Sequence, residues 1–259
     1  MYSSYVAVGD SFSEGLGDPL PDGSVRGWTD LVALALGRNA GSPIRYANLA
    51  IRGKKLEPII AEQVEPALAL GAELVTFNGA GNDIMRPRVS IDAVAARLVE
   101  AAERLGSGGA RVIVVSGGNP SGHIPMGRLV SGRGDELAAA VLHRLPAGMT
   151  YVDNWSDAVL AQGRFWSADN LHLNTIGHIR VAANVLTTLG VPVPAEWAVS
   201  ETAALPGSGA RGRDRAYYRE HVLPWIGRRL TGRSSGDGRP PKFATLAPVI
   251  IPDPIVQAS

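Results

Sequence analysis

The sequence predicts an α/β fold in which a five-stranded parallel sheet is covered by helices on both faces. Short apolar runs alternate along the chain with longer amphipathic runs, which is the pattern of consecutive βαβ units. Four of the five short runs are rich in β-branched residues, as buried parallel strands are. The chain contains 31 Gly and 18 Pro among 259 residues, which favours many tight turns between the elements.

Five strands and five helices are predicted within the first 190 residues. The strands are Tyr5–Val8, Ile44–Leu49, Glu73–Asn78, Arg111–Ser116 and Met149–Val152. The helices are Trp28–Leu36, Leu56–Leu70, Ser90–Leu105, Arg133–Leu145 and Thr175–Leu189. The third helix has the clearest pattern, because its apolar residues recur at helical spacing behind Ser90, which we place as the N-cap. Asn174 is placed as the cap of the last helix.

The composition changes after about residue 190, and we predict a main domain of residues 1–195 followed by a C-terminal extension of residues 196–259. The first 200 residues carry 16 Arg or Lys and 19 Asp or Glu, a net charge of −3. Residues 201–259 carry nine and five, a net charge of +4. The extension is therefore distinct in charge from the domain that precedes it.

Two elements are predicted in the extension. Arg213–Leu230 reads as a basic amphipathic helix that Pro224 would interrupt or kink. Leu246–Ile255 is apolar but contains three prolines, so it suits an extended strap. We expect the strap to dock on the chain's own main domain or on a neighbouring copy in a homo-oligomer. Peripheral contact with an anionic membrane surface is the alternative.

The composition excludes several classes of function. The chain has no Cys, so disulfides, thiolate metal sites and cysteine nucleophiles are excluded. A net charge of +1 gives no indication of a nucleic acid partner. No clustered His and carboxylate residues indicate a metal site. The start of the sequence lacks a secretory signal pattern and no run is long enough to span a membrane, so the expected location is the cytoplasm.

Residues that can take part in catalysis follow the predicted strands, where ligands of parallel sheets bind. Ser11 stands in Gly9-Asp10-Ser11 directly after the first strand. Asn82 stands in Gly79-Ala80-Gly81-Asn82-Asp83 after the third strand, and its carboxamide is suited to stabilising an oxyanion. Gly53 follows the second strand, and its unhindered N–H is suited to the same task.

Asp169 and His172 lie between the last strand and the last helix. A carboxylate three residues before an imidazole can fold back on it, fix its tautomer and stabilise the imidazolium that forms during catalysis. Each of these signals has a structural explanation when it stands alone: a capping serine, an Asx turn or a solvated loop. Their common placement at one edge of one sheet favours a shared site.

These four blocks, in this order, resemble the SGNH hydrolases, also called the GDSL esterase/lipase family, over about residues 5–190. Val8–Gly15 matches the first block, Gly53 the second, Gly79–Asp83 the third, and Asp169 with His172 the last. The third block departs from the strict G-x-N-D pattern, which would place a glycine at Ala80.

The resemblance implies a flavodoxin-like three-layer α/β/α sandwich and ester hydrolysis without a cofactor. It implies that Ser11 is the nucleophile, His172 the general base and Asp169 its partner. The oxyanion would be held by the N–H groups of Ser11 and Gly53 and by the Asn82 amide. The expected partner is a small-molecule ester, whose acyl chain and alcohol the sequence leaves open.

Three other interpretations fit the sequence less well. A dinucleotide loop at Gly79–Asp83 lacks the third glycine of its fingerprint. The α/β-hydrolase fold requires G-x-S-x-G at a central elbow, whereas the window here is Gly9-Asp10-Ser11-Phe12-Ser13 on the first strand. A noncatalytic binding or scaffold protein that retains the fold is disfavoured by the intact Ser, Asp and His set.

Overall fold

A six-stranded sheet forms the centre of the protein in the computed structural model, which describes residues 2–200, 209–224, 227, 231 and 234–254. The strands are β1 Ser4–Val8, β2 Arg45–Asn48, β3 Leu74–Phe77, β4 Arg111–Val115, β5 Thr150–Val152 and β6 Phe243–Pro248. Their order across the sheet is β5-β4-β3-β1-β2-β6. Strands β1 to β5 are parallel and β6 runs antiparallel to β2.

The predicted α/β architecture with five parallel strands is confirmed, and the C-terminal extension adds a sixth, antiparallel strand that was not predicted. β6 pairs with the edge strand β2, whose backbone groups would otherwise be unpaired on that side. Phe243 and Leu246 are half-buried, and the residues between them are exposed. Pro248 is compatible with an edge strand, where a missing N–H is tolerated. The extended segment thus begins three residues before the predicted strap.

Ten α-helical segments are present in the described part of the chain. They are α1 Ser11–Glu14, α2 Trp28–Ala40, α3 Leu56–Ile59, α4 Glu65–Leu70, α5 Gly81–Ile84, α6 Ile91–Gly106, α7 Gly127–Arg144, α8 Thr175–Leu189, α9 Ala195–Ser200 and α10 Arg215–Tyr217. A π-helical segment, Ile60–Val64, joins α3 to α4, so the predicted helix over 56–70 is continuous. None of the helices in the described ranges has the length and apolar character needed to cross a membrane.

Helices cover both faces of the sheet, and β1 is buried on both. Tyr5 and Ala7 point to a core that contains residues of α2 and α8, such as Trp28 and Ile179. Val6 and Val8 point to the opposite core, with residues of α3, α6 and α7. Because successive side chains of a strand point to opposite faces, a continuous apolar run is what a strand between two helical layers requires.

The predicted helix caps are confirmed. The Ser90 side chain accepts a hydrogen bond from the N–H of Ala93, and Asn174 Oδ1 accepts one from the N–H of Gly177. His178, in α8, adds a cap that spacing does not reveal. Its Nδ1 accepts a hydrogen bond from the N–H of Trp28, the first residue of α2. The last helix therefore fixes the start of α2.

The predicted basic helix over Arg213–Leu230 falls partly outside the described residues. The described part is helical from residue 215 to residue 224, with a π-helical segment at Tyr218–Val222 that follows α10. Positions 225, 226 and 228–230 lie outside the described residues. The proposed domain boundary at 195/196 stays a prediction.

A buried ion pair joins the extension to the main domain. Lys242 Nζ lies 2.5 Å from Asp30 Oδ2 and donates hydrogen bonds to the carbonyl oxygens of Glu14 and Val25. Asp30 is 2% exposed and also accepts a hydrogen bond from the N–H of Gly27. Burial raises the pKa of Asp30, and the ammonium of Lys242 opposes that rise. Lys242 therefore stabilises a carboxylate that water cannot reach.

Replacing Lys242 by methionine is expected to lower the free energy of unfolding by about 3 kcal/mol at pH 7, because Asp30 is left as an unpaired buried charge. The deficit should shrink as the pH falls, since an Asp30 pKa above its unfolded value means that protonation relieves the cost. Urea unfolding at pH 7 and pH 5 measures both effects. Lys54→Met is the matched control, because Lys54 pairs with the exposed Glu62 and should cost less than about 1 kcal/mol. Equal losses in the two variants would contradict the prediction.

Candidate active site

Ser11 is held at the carboxyl end of the central strand β1 by a tightly packed turn. A Cβ on Gly9 would lie 2.7 Å from Ser13 Oγ and 3.0 Å from the carbonyl oxygen of Asn78, so glycine is required at this position. The buried Gln63 side chain accepts from the N–H of Gly9 at 2.8 Å and donates to its carbonyl oxygen at 2.9 Å. These contacts fix the residue from which the Ser11 turn begins.

Asp10 caps the short helix that Ser11 begins. Its Oδ1 accepts a hydrogen bond from the N–H of Phe12 at 3.0 Å, and the side chain is 4% exposed. Burial raises the pKa of Asp10 to about 6. Asp10 therefore stabilises the turn that carries Ser11.

Ser11, His172 and Asp169 form one hydrogen-bonded row. His172 Nε2 lies 3.0 Å from Ser11 Oγ, and His172 Nδ1 lies 2.6 Å from Asp169 Oδ2. The other carboxylate oxygen, Asp169 Oδ1, accepts hydrogen bonds from the N–H groups of Leu171 and His172, both at 2.9 Å. Ser167 Oγ donates to the same oxygen at 2.7 Å. The carboxylate is thus fixed on one side and faces the imidazole on the other.

The electrostatics of the row favour an ionised Asp169 beside a basic imidazole. Burial alone would raise the pKa of Asp169, but the charge and hydrogen bonds of His172 hold it well below its usual range. Burial alone would lower the pKa of His172, but the Asp169 carboxylate outweighs burial and raises it. His172 is therefore a stronger base than a free imidazole and loses its proton at a higher pH than a free imidazole does.

Asn82 and Gly53 border the same site as Ser11. The Asn82 amide donates to the carbonyl oxygen of Lys54 at 2.9 Å and, more weakly, to Asp10 Oδ2 at 3.3 Å. Gly53 has a φ of 74°, in the left-handed region that favours glycine. A Cβ there would lie 2.4 Å from Ser234 Oγ, so the C-terminal extension packs directly against this turn.

An ion pair that the sequence motifs do not reveal supports the Gly53 turn. The Glu14 carboxylate accepts hydrogen bonds from the backbone N–H of Arg52 at 2.6 Å and from its Nε at 2.9 Å. Glu14 is 7% exposed. Glu14, three residues after Ser11, therefore fixes the position of Arg52, which directly precedes Gly53. Glu14, near the end of the first block, was the available sequence signal for this ion pair, but its partner Arg52 is 38 residues away.

Ala80 takes the backbone conformation that the strict G-x-N-D pattern would assign to glycine. Its φ is 72° and its side chain is fully buried. An L-residue in this region costs about 1–2 kcal/mol, which the surrounding packing must offset. Asn82 follows in the first turn of α5.

The extension is also bonded to the loop that carries Asp169 and His172. Asn170, fully buried with a φ of 62°, accepts from the N–H of Arg211 at 2.7 Å and donates to its carbonyl oxygen at 2.9 Å. The hydroxyl of Tyr217, which is 2% exposed, donates to the carbonyl oxygen of Asp169 at 3.3 Å. No local pattern predicts these contacts, because they join residues more than 40 positions apart.

Two cavities border Ser11. The first, here called the inner cavity, has a volume of about 120 Å³ and reaches toward Val115 of β4 and Leu137 of α7. The second, here called the outer cleft, has a volume of about 350 Å³. All the predicted site residues border the outer cleft: Ser11, Gly53, Asn82, Asp169 and His172. An ester bound at Ser11 therefore has space for both its acyl part and its alcohol part.

Two further histidines have other partners. His178 is fully buried, its Nε2 lies 3.0 Å from the carbonyl oxygen of Leu16, and burial lowers its pKa to about 4. His123 Nε2 lies 2.9 Å from the carbonyl oxygen of Ala161. Across the described residues, no group of three or more His, Asp or Glu side chains is arranged to hold a metal ion.

Comparison with known proteins gives one family and several structural relatives. The profile of the GDSL-like lipase/acylhydrolase family matches residues 7–180. No curated protein matches the sequence.

Three solved structures illustrate the likeness in fold. The lipase Lip_vut3 from a goat rumen metagenome is 15% identical with a TM-score of 0.61, covering 74% of this chain and 99% of its own. TesA is 24% identical with a TM-score of 0.55, covering 72% and 97%. Axe2, an acetylxylan esterase from Geobacillus stearothermophilus, is 20% identical with a TM-score of 0.58, covering 74% and 97%.

Proposed function

The chain belongs to the GDSL-like lipase/acylhydrolase family and is a carboxylic ester hydrolase, and from that premise we propose that it acts through an acyl-enzyme formed on Ser11. The observation that carries the proposal is the hydrogen-bonded row of Ser11, His172 and Asp169. A hydroxyl within hydrogen-bond reach of a base, which a third group orients, is the arrangement that activates a serine.

The proposed reaction has two halves. Ser11 Oγ attacks the ester carbonyl carbon while His172 Nε2 takes the hydroxyl proton, which gives a tetrahedral intermediate. The intermediate collapses, the bond to the alcohol oxygen breaks, and His172 returns the proton to that oxygen. A water molecule, deprotonated by His172, then attacks the acyl-enzyme, and the carboxylic acid leaves as Ser11 regains its proton. Asp169 holds the imidazole in orientation and stabilises its protonated form.

The oxyanion is proposed to bind between the N–H groups of Ser11 and Gly53 and the Asn82 amide. Asn82 now donates to Lys54 at 2.9 Å and to Asp10 at 3.3 Å. The longer bond is the weaker one, so the proton directed at Asp10 is the one that would be shared with the oxyanion. The bond to Lys54 would keep the amide in place.

Labelling with a small fluorophosphonate tests the proposal. The wild-type protein is expected to gain the mass of one adduct, which peptide mapping places on Ser11. Ser24→Ala, which removes an exposed loop hydroxyl, is the control and should label like the wild type. A protein that hydrolyses no ester and gains no adduct would instead fit the noncatalytic scaffold, and an adduct on another serine would contradict Ser11 as the nucleophile.

We expect kcat/KM to rise with pH, with the midpoint of the rise due to His172 above 6.5. Only neutral His172 can accept the Ser11 proton, and its pKa is raised by the Asp169 carboxylate. Asp169 stays ionised throughout, because its pKa is held far below this range. Initial rates at saturating and subsaturating ester between pH 5 and 9 give the profile. A flat profile between pH 5 and 8 would contradict His172 as the base.

Replacing Asn82 by alanine is expected to lower kcat by about 10²–10³-fold with a smaller change in KM, as for the loss of one oxyanion donor. Steady-state kinetics on one ester separates the two constants. Asn39→Ala is the control, because Asn39 is an exposed residue of α2 outside both cavities. If KM alone changed, Asn82 would be a substrate-binding residue and not an oxyanion donor.

A further inference from the structure

We propose that the C-terminal extension forms one wall of the substrate site and that this wall selects esters with an elongated apolar arm, meaning a long acyl chain or a long alcohol group. The inference rests on the proposed function, because it takes Ser11 as the point where the ester is cleaved. The wall consists of residues 217–224. A second wall, here called the α7 wall, consists of residues 124–130, which lead into α7 and form its first turn.

The two walls line the outer cleft together with the reacting serine. From the extension, Tyr217, Val222 and Pro224 border the cleft, together with the polar Glu220 and His221. Ile124 and Met126 border it from the α7 wall. Ser11 and His172 border the same space, so an ester bound at Ser11 extends between the walls. With a volume of about 350 Å³ against about 120 Å³ for the inner cavity, the outer cleft is where the longer arm fits.

The extension is held in place on the catalytic side of the cleft. The side chain of Asn170 bonds both backbone groups of Arg211, and Tyr217 donates to the carbonyl oxygen of Asp169. Arg213 Nη1 donates to the carbonyl oxygen of Ile124 at 3.2 Å, which links the extension to the α7 wall. A wall tied to the residues on either side of the cleft has a defined distance from Ser11, as a specificity-determining surface requires.

Apolar side chains of both walls border the cleft. Met126 is 60% exposed and borders it beside Val222 and Pro224 of the extension. Exposed apolar side chains at a cleft mark a binding surface. An apolar chain that passes between them would remove this surface from water, and each fully buried methylene favours binding by up to about fourfold.

The test compares short and long esters on the wild type and on variants of each wall. Two series are used, p-nitrophenyl acetate against octanoate and ethyl acetate against octyl acetate, so that the long arm is either the acyl chain or the alcohol. The wild type is expected to show a higher kcat/KM for the long member of at least one series. Val222→Trp fills the cleft from the extension and should lower that long-to-short ratio by at least about tenfold.

A second variant changes the α7 wall without adding bulk. Met126 has a φ of 60°, which asparagine tolerates better than methionine does, so Met126→Asn should fold while removing apolar contact. It should lower the same ratio severalfold. Leu142→Trp is the matched control, because Leu142 is an exposed residue of α7 that borders neither cavity, and its ratio should equal that of the wild type.

Fluorophosphonate labelling separates failure of this inference from failure of the proposed function. If Ser11 labels in the wild type and in Val222→Trp but neither ratio changes, the wall does not select the substrate and the inference is overturned. A wild-type preference for the short ester in both series overturns it as well. If Ser11 in the wild type does not label, the proposed function itself fails.

Discussion

Replacing Ser11 by alanine is expected to lower kcat/KM for ester hydrolysis by at least about 10⁴-fold. The variant loses the atom that would form the acyl-enzyme, and His172 and the oxyanion donors have no covalent step left to assist. Ser11 Oγ lies within hydrogen-bond distance of His172 Nε2, and the residue is only half-buried. The stability of the fold should therefore change by less than about 0.5 kcal/mol.

Steady-state rates and thermal unfolding of the purified variant measure the two quantities side by side. Ser24→Ala serves again as the matched control, because it removes a hydroxyl from an exposed loop. Hydrolysis by Ser11→Ala within a hundredfold of the wild type would remove Ser11 from the mechanism. A variant that unfolds well below the wild type would show that the hydroxyl has a structural role.

The elements that local pattern determines were predictable from the sequence. Strand β1 is buried on both faces, so its apolar run is unbroken, and α6 presents one apolar face behind the cap Ser90. The residues of the site follow strands of a parallel sheet, and the carboxyl ends of such strands share an edge. This is why Ser11 and Asn82, 71 positions apart, could be placed together before their distance was known.

The parts that depend on distant partners were not predictable. β6 is recognisable as a strand only because β2 offers an unpaired edge, and its own sequence contains a proline. The side chain of Asn170 pairs with backbone groups of Arg211. Every residue has such groups, so the sequence does not indicate which of them Asn170 contacts. Glu14 and Arg52 look like ordinary surface residues until the turns that carry them meet.

Ala80 shows a limit of a different kind. Its φ is positive, in the region that favours glycine, yet the residue is a buried alanine. The letter at this position therefore did not indicate the backbone conformation, whose cost the surrounding packing must offset.

Replacing Asp169 by asparagine is expected to lower kcat by about 10⁴-fold, close to but no greater than the effect of His172→Ala. The introduced carboxamide would place an N–H donor opposite His172 Nδ1, where the carboxylate now accepts at 2.6 Å. The imidazole would then carry its proton on Nε2, the nitrogen that faces Ser11, and could not act as the base. Steady-state kinetics of both variants on one ester gives the comparison.

The same substitution should move the pH profile in a defined direction. The Asp169 carboxylate raises the pKa of His172, so without it the residual activity should rise along a limb at lower pH than in the wild type. Asp22→Asn is the control, because Asp22 is an exposed loop residue, and its rate and limb should match those of the wild type. If Asp169→Asn kept a rate within tenfold of the wild type, or kept the limb in place, Asp169 would not set the protonation state of the base.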